Sequence, residues 1–166
     1  MFRFLILIVN SLACFVAFSQ NPKAIKYNDK IIDMQHRHIE KMAKFAGSIS
    51  NTNPDKLNKA KDELEASLEK AYQQIEKMPD FEGDDALKNA ALDWFKLSKK
   101  IIEDDFEILI PLLRKKEKDA LDRVKIKETV ERLIVEEDAI ITNFEKAQQS
   151  FVERHGLDLV ERPVKL

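Results

Sequence analysis

No glycine falls between Gly83 and Gly156, and throughout that span charged residues interleave with apolar ones at a spacing near 3.6. A stretch of this kind lacks the frequent tight turns a sheet protein needs. Its apolar residues share one face only if the backbone is helical. The same periodicity holds from Pro22 onward, and no segment shows the alternation of a half-buried strand. Long amphipathic helices are therefore the building unit, with no inter-domain linker or internal repeat to divide them.

Punctuation residues cut this material into four segments. The first helix is predicted from about Pro22 to Ser50, with Ile25, Ile32, Ile39, Ala46 and Ile49 on one face. Asn51-Thr52-Asn53-Pro54 ends it and starts the second, Asn53 as the cap and Pro54 at the first helical position. The second helix reaches about Lys77 and buries Leu57, Leu64, Leu68, Ala71 and Ile75. Met78–Gly83 reads as a loop with Asp84 as the next N-cap.

The third helix carries Leu87, Ala91, Trp94, Phe95, Ile101, Ile102, Phe106 and Leu109, and Pro111 is expected to kink it or end it. The basic run Arg114–Lys118 is a solvated corner suited to the negative end of that helix. The fourth helix spans about Ala120 to Arg154, and His155-Gly156-Leu157 supplies its stop. Four helices with short connections predict an all-α, antiparallel up-down-up-down four-helix bundle.

The N-terminus reads as a targeting segment. Arg3 precedes an apolar run from Phe4 to Phe18, and Ala17-Phe18-Ser19 places small residues for cleavage before Gln20. The run is shorter than the roughly 20 residues of a spanning helix, so the expected mature chain has no transmembrane span. Cys14 offers a competing lipoprotein reading, disfavoured by the lack of Leu at −3 and by the apolar Phe15–Phe18 that would follow the lipid. The expected division is a signal peptide over 1–19 and a single bundle domain over 20–166, placed in the periplasm, at the outer-membrane surface or outside the cell.

Removing Arg3 leaves 27 of the 28 Lys and Arg residues against 30 Asp and Glu, a net charge of −3. That near balance gives no field suited to nucleic acid. The single cysteine would leave with the signal, so neither a disulfide nor a thiol nucleophile is expected.

In a helical bundle, chemistry resides on inward-facing polar residues. Projected at 100° per residue, Asn28 and Gln35 lie inside the first stripe, Ser98 and Asp105 inside the third, and Glu137 between Leu133 and Ile141 on the fourth. Gln35, Ser98, Asp105 and Glu137 fall at similar heights, which predicts a mid-bundle polar layer. Such a layer either surrounds a small polar ligand or ion, or fixes helix register by internal hydrogen bonds.

Metal chemistry has a narrower basis. A di-metal carboxylate bundle needs two Glu-x-x-His pairs, and this chain offers one Asp33-x-x-His36. Met34, His38 and Met42, at i, i+4 and i+8, form an alternative soft-metal edge. His36 and His38 point about 200° apart and cannot chelate together. Ser98 and Ser67 show no His in sequence to activate them, and Gly83 stands alone where a phosphate cradle needs several glycines. No enzyme and no cofactor are expected. Trp94-Phe95 with Tyr72 reads as core or bundle-edge packing.

Tyr27-Asn28-Asp29-Lys30-Ile31-Ile32 with Gln35, together with Phe144-x-x-Ala147-Gln148-x-x-Phe151 and His155-Gly156, resembles an uncharacterised family of small helical bacterial surface proteins first recognised in leptospiral-type genomes. The likeness spans the mature chain. It implies an exported or surface-displayed helical protein with no assigned chemistry, and it singles out Tyr27, Asn28 and Gln35. The expected function is a non-enzymatic binding or interaction module with an envelope or protein partner. The alternative is a small-ligand or metal carrier using the polar layer.

Overall fold

Asn21 and Pro22 begin the first helix as their chemistry dictates. The Asn21 Oδ1 accepts from the Ala24 N–H at 3.2 Å, and Pro22 enters the first turn, where no N–H is needed. In the computed structural model, which describes residues 14–18, 21–51 and 53–162, this helix, α1, runs Pro22–Ser48. The second, α2, runs Pro54–Glu76, capped by Asn53, whose Oδ1 accepts from Asp55 N at 2.9 Å. Both ends fall within two residues of the expected positions.

The following loop tightens into a two-residue turn. Phe81 and Asp84 exchange backbone hydrogen bonds at 3.0 and 2.9 Å. Glu82 and Gly83 between them take φ of 53° and 83°, as a hairpin turn of the primed type requires. The next helix, α3, starts at Ala86 and runs to Lys100. Asp84, expected as its N-cap, lies one residue too early for that position. Its Oδ1 nevertheless accepts from Ala86 N at 3.1 Å.

The third rod ends at Arg114, close to Pro111 as expected. It departs from expectation ten residues before Pro111, where Ile101–Asp105 form a π-helical turn. Helix α4, Phe106–Arg114, continues from it with Pro111 inside. Pro111 removes one backbone bond, the one to the Glu107 carbonyl, and the rod survives for one further turn before Lys115 turns extended. The last helix, α5, spans Ala120–His155. A reciprocal capping box opens it: Asp119 Oδ1 accepts from Asp122 N at 2.8 Å and Asp122 Oδ2 accepts from Asp119 N at 3.3 Å. Gly156 closes it with φ 62°, and Leu157, itself buried, donates its N–H to the Val152 carbonyl at 2.9 Å.

The described body is thus all-helical, in four rods: α1, α2, α3 with α4, and α5. Helix α1 packs on α2, α2 on α3, and α5 on α3 and α4. Two short strands near the chain ends, β1 (Cys14–Phe18) and β2 (Asp158–Arg162), pair antiparallel with Val16 opposite Val160. No strand-like alternation in the sequence announces this ladder. The rest of the expected leader, and its cleavage point before Gln20, lie outside the described residues.

Phe45, Phe95, Phe144 and Phe151 are fully enclosed with Ile31, Ile32, Leu64 and Leu87. Each such side chain stabilises the fold by about 1.5–3 kcal/mol. Helix α1 buries more residues than any other described helix. It buries Tyr27, Ile31, Met34, His38 and Phe45 beside the expected row of Asn28, Ile32, Gln35, Ile39, Met42 and Ala46.

Candidate functional site

The second buried row of α1 carries one polar residue, His38, which is 1% exposed. Its ring makes T-shaped contacts with Trp94 and Phe95, with centroids 5.6 Å away in each case. Neither ring nitrogen has a hydrogen-bond partner among the described residues. Burial among aromatic rings opposes the charged form, and the imidazole pKa is pulled down to about 4. His38 is therefore a neutral imidazole with both nitrogens uncommitted.

His38 lines a small cavity with Ile39 and Met42 of α1, Trp94, Leu97 and Ser98 of α3, Ile101 of the π turn, and Glu137 and Ile141 of α5. The space is about 20 Å³, room for one water molecule or one ion. Glu137 is half-buried on its α5 side. Burial, with Asp138 beside it as the smaller influence, pushes its carboxyl pKa up to about 7. No lysine or arginine lines the cavity. A positive charge entering it would meet a carboxyl group ready to ionise, a neutral imidazole, a hydroxyl and a thioether.

This arrangement revises the sequence reading of Ser98. A histidine does lie across the same cavity, on a different helix, and Glu137 completes a Ser/His/Glu set. The set is not wired as a catalytic triad, however, since His38 bonds to neither of the others. A pKa near 4 also makes its imidazole a weak base at neutral pH.

The predicted polar layer separates into three places. Ser98 and Glu137 come together at the cavity. Asp105, 3% exposed at the end of the π turn, instead pairs with Arg132 of α5, while its second oxygen has no partner among the described residues. Asn28 sits toward the other end of α1 and accepts from Gln148 Nε2 at 2.8 Å. Gln35 is fully buried, and neither of its amide atoms finds a partner among the described residues. It is not among the residues that line the cavity of Ser98 and Glu137.

The soft-metal edge is likewise divided. His38 and Met42 share the cavity wall, and Met34 packs in the core away from it. Among the described residues no group of three or more His, Cys, Asp and Glu side chains is placed to hold a metal ion. Any metal at this cavity would depend on the mixed set of one imidazole, one carboxylate and the Met42 sulfur.

The sequence did carry a signal for His38. Tyr27, Ile31, Met34, His38 and Phe45 form a row at helical spacing, apolar except at His38. A buried stripe one row wide leaves His38 on the soft-metal edge beside it. In the fold, α1 is covered from several sides and buries two rows.

A second cluster gathers Tyr27, Phe81, Phe151 and His155. Tyr27, Phe81 and Phe151 pack with ring centroids 5.2–5.6 Å apart, and His155 lies 4.5 Å from Phe151. Arg154 pairs with Asp84 at 2.6 Å. Burial, with Asp80, Asp84 and Asp85 nearby, pushes the Tyr27 hydroxyl pKa up to about 12. Tyr27 and Phe151, far apart in the chain, meet at this end of the body.

Among the described residues no helix is long and apolar enough to cross a membrane. Comparison of the chain with protein-family models, with curated proteins and with solved structures gives no match in any of the three.

Proposed function

We propose that this chain is an exported, non-enzymatic helical binding protein of the cell envelope, and that it holds a small cation in the cavity formed by His38, Ser98 and Glu137. The observation that carries the reading is His38: a buried imidazole with two uncommitted nitrogens, set across a one-ion space from a carboxyl group. Unpartnered buried polar atoms are costly unless something meets them. A cation would favour ionised Glu137 and accept a lone pair from neutral His38.

The four rods are taken to run up, down, up and down. This is supported by early-to-late pairing along them: Asn28 with Gln148, Lys41 with Glu63 and Lys61 with Glu107. Export is supported by the basic residue, apolar run and small residues of Met1–Ser19, and membership of the leptospiral-type family by the strings around Tyr27 and Gln148.

Trp94, the single tryptophan, lines the cavity and reports on it. Titration with Cu(I), Zn(II) and methylammonium, followed by Trp94 emission and calorimetry, tests the proposal and separates metal from organic cation. At least one of these is expected to give saturable binding, with proton release near pH 7 as Glu137 ionises. Glu137→Gln and His38→Leu should each abolish it. No saturable response to any of the three overturns the reading.

The second reading, contact with a protein or envelope component through a helix face, is favoured by one observation. Leu121, Val124, Ile134 and Val135 of α5 are 43–70% exposed, although the same helix already buries apolar residues on its bundle side.

A further inference from the structure

The first half of α5 has two apolar faces. Toward the bundle it presents Ile126, Val130 and Leu133. Away from it stand Leu121, Val124 and Val135, at 61%, 48% and 70% exposure, followed by the exposed Ala139. Leu121 and Val124 are three positions apart, Val135 follows eleven positions on and Ala139 four after that, and at 100° per residue all four share one face of the helix. Beyond Ala139 the outward positions are Thr142, Lys146 and Glu153. The stripe is therefore confined to Leu121–Ala139, about 28 Å of helix at 1.5 Å per residue.

The polar residues within the stripe indicate what covers it. Glu128 and Arg132, both exposed, lie on either side of its midpoint at Val130. Turn a second α5 antiparallel about that midpoint and Leu121 falls opposite Ala139, Lys125 opposite Val135, and Glu128 opposite Arg132. Leu121 and Ala139 meet each other, Val135 meets the aliphatic stem of Lys125, and Val124 meets the stem of Glu136. The central charges meet their opposites twice over, as a two-fold axis requires. In a parallel pairing Glu128 would meet Glu128 and Arg132 would meet Arg132. Arg132 already binds Asp105 and Glu136 within its own chain, and its five donors leave capacity for one acceptor more.

We propose that the stripe Leu121–Ala139 of α5 is a homodimer interface, covered by the same stripe of a second, antiparallel copy of this chain. A single helix-on-helix seam is small beside standard interfaces, so the dimer is a reversible one whose population depends on concentration. The interface lies on the outward side of α5, and cation binding at His38 and Glu137 is independent of it.

Analytical ultracentrifugation of the protein over a wide concentration range reads the association directly. Reversible dimerisation is expected. Val135→Glu and Leu121→Glu should each leave a monomer with unchanged far-UV circular dichroism. Glu128→Lys, which sets a cation against Arg132 of the second copy, should weaken the dimer by about tenfold, less at high salt. In a Cys14→Ser background, a mixture of Leu121→Cys and Ala139→Cys chains should form a disulfide that neither variant forms alone. A wild-type chain that stays monomeric at every concentration overturns the proposal, as does cross-linking between like positions.

Discussion

Gln148 Nε2 donates to Asn28 Oδ1 at 2.8 Å, a hydrogen bond buried in the core that joins residues 120 positions apart. It ties the beginning of α1 to the end of α5, beside the stacked rings of Tyr27 and Phe151, 5.6 Å apart. Asn28 on the apolar face of α1 was a candidate ligand residue in sequence. In the fold it acts as a clasp, a pairing that accepts only one register of the two helices.

Breaking the clasp from one side should cost more than removing it whole. Gln148→Leu leaves a buried carbonyl oxygen without its donor, at a cost of about 1–3 kcal/mol. Asn28→Leu with Gln148→Leu removes both groups, and the double variant is expected to be destabilised by less than the two singles added together. Urea unfolding followed by circular dichroism supplies the cycle. Strict additivity would mean that the bond contributes nothing to register.

Gln35 has the opposite prospect. It is fully buried, and neither amide atom has a partner among the described residues, so its side chain subtracts from stability. Gln35→Leu, similar in size and apolar, is expected to raise the unfolding free energy by about 1 kcal/mol. A loss of similar size in the same urea experiment would refute the view that this amide is unsatisfied.

Local signals were legible and lateral ones were not. The cap at Asn53, the Gly156 stop and the helix ends depend on neighbours within four residues, and the sequence shows them directly. Ser98, Glu137 and the inward face of Asp105 were visible for the same reason, since one helix's periodicity places them. Whether Asp105 meets Ser98 or Arg132 depends on how two rods are rotated against each other, and no single-helix projection contains that. The π turn at Ile101–Asp105 adds a further rotation that a constant 100° step does not include. His38 was misplaced because the width of a buried stripe depends on how many neighbours a helix has. The β1–β2 ladder was missed because Cys14–Phe18 lay inside the apolar run assigned to the leader.

Asp105 and Arg132 make an asymmetric pair. The carboxylate side chain is 4% exposed and the guanidinium 41%, so the arginine reaches inward from the surface to meet a buried charge. Arg132→Met keeps the aliphatic stem and removes that charge, leaving Asp105 unpaired. A destabilisation of about 3 kcal/mol is expected, in line with other broken buried pairs. Asp105→Asn with Arg132→Met should recover most of it. Thermal and urea unfolding of the two variants check this, and a loss below 1 kcal/mol for Arg132→Met would sink the claim.

The cavity predicts an unusual pH profile, because its two titrating groups are shifted in opposite senses. His38 goes from an ordinary 6.5 down to about 4 on folding. The unfolded chain therefore binds the extra proton between those values, and stability falls as pH drops through that window. Glu137 goes from 4.5 up to about 7. Here the folded chain holds the extra proton, and stability falls as pH rises from 4.5 to 7. Each slope is about 1.4 kcal/mol per pH unit at full strength, and between pH 4.5 and 6.5 the two oppose each other. The wild-type contribution from this pair is expected to be nearly flat there. Glu137→Gln removes the falling limb, so stability should climb with pH across the window. His38→Leu removes the rising limb, so stability should decline across it. Urea unfolding at half-unit pH steps distinguishes the three curves. If both variants follow the wild-type profile, His38 and Glu137 are not the buried, oppositely shifted groups that a cation-binding cavity needs.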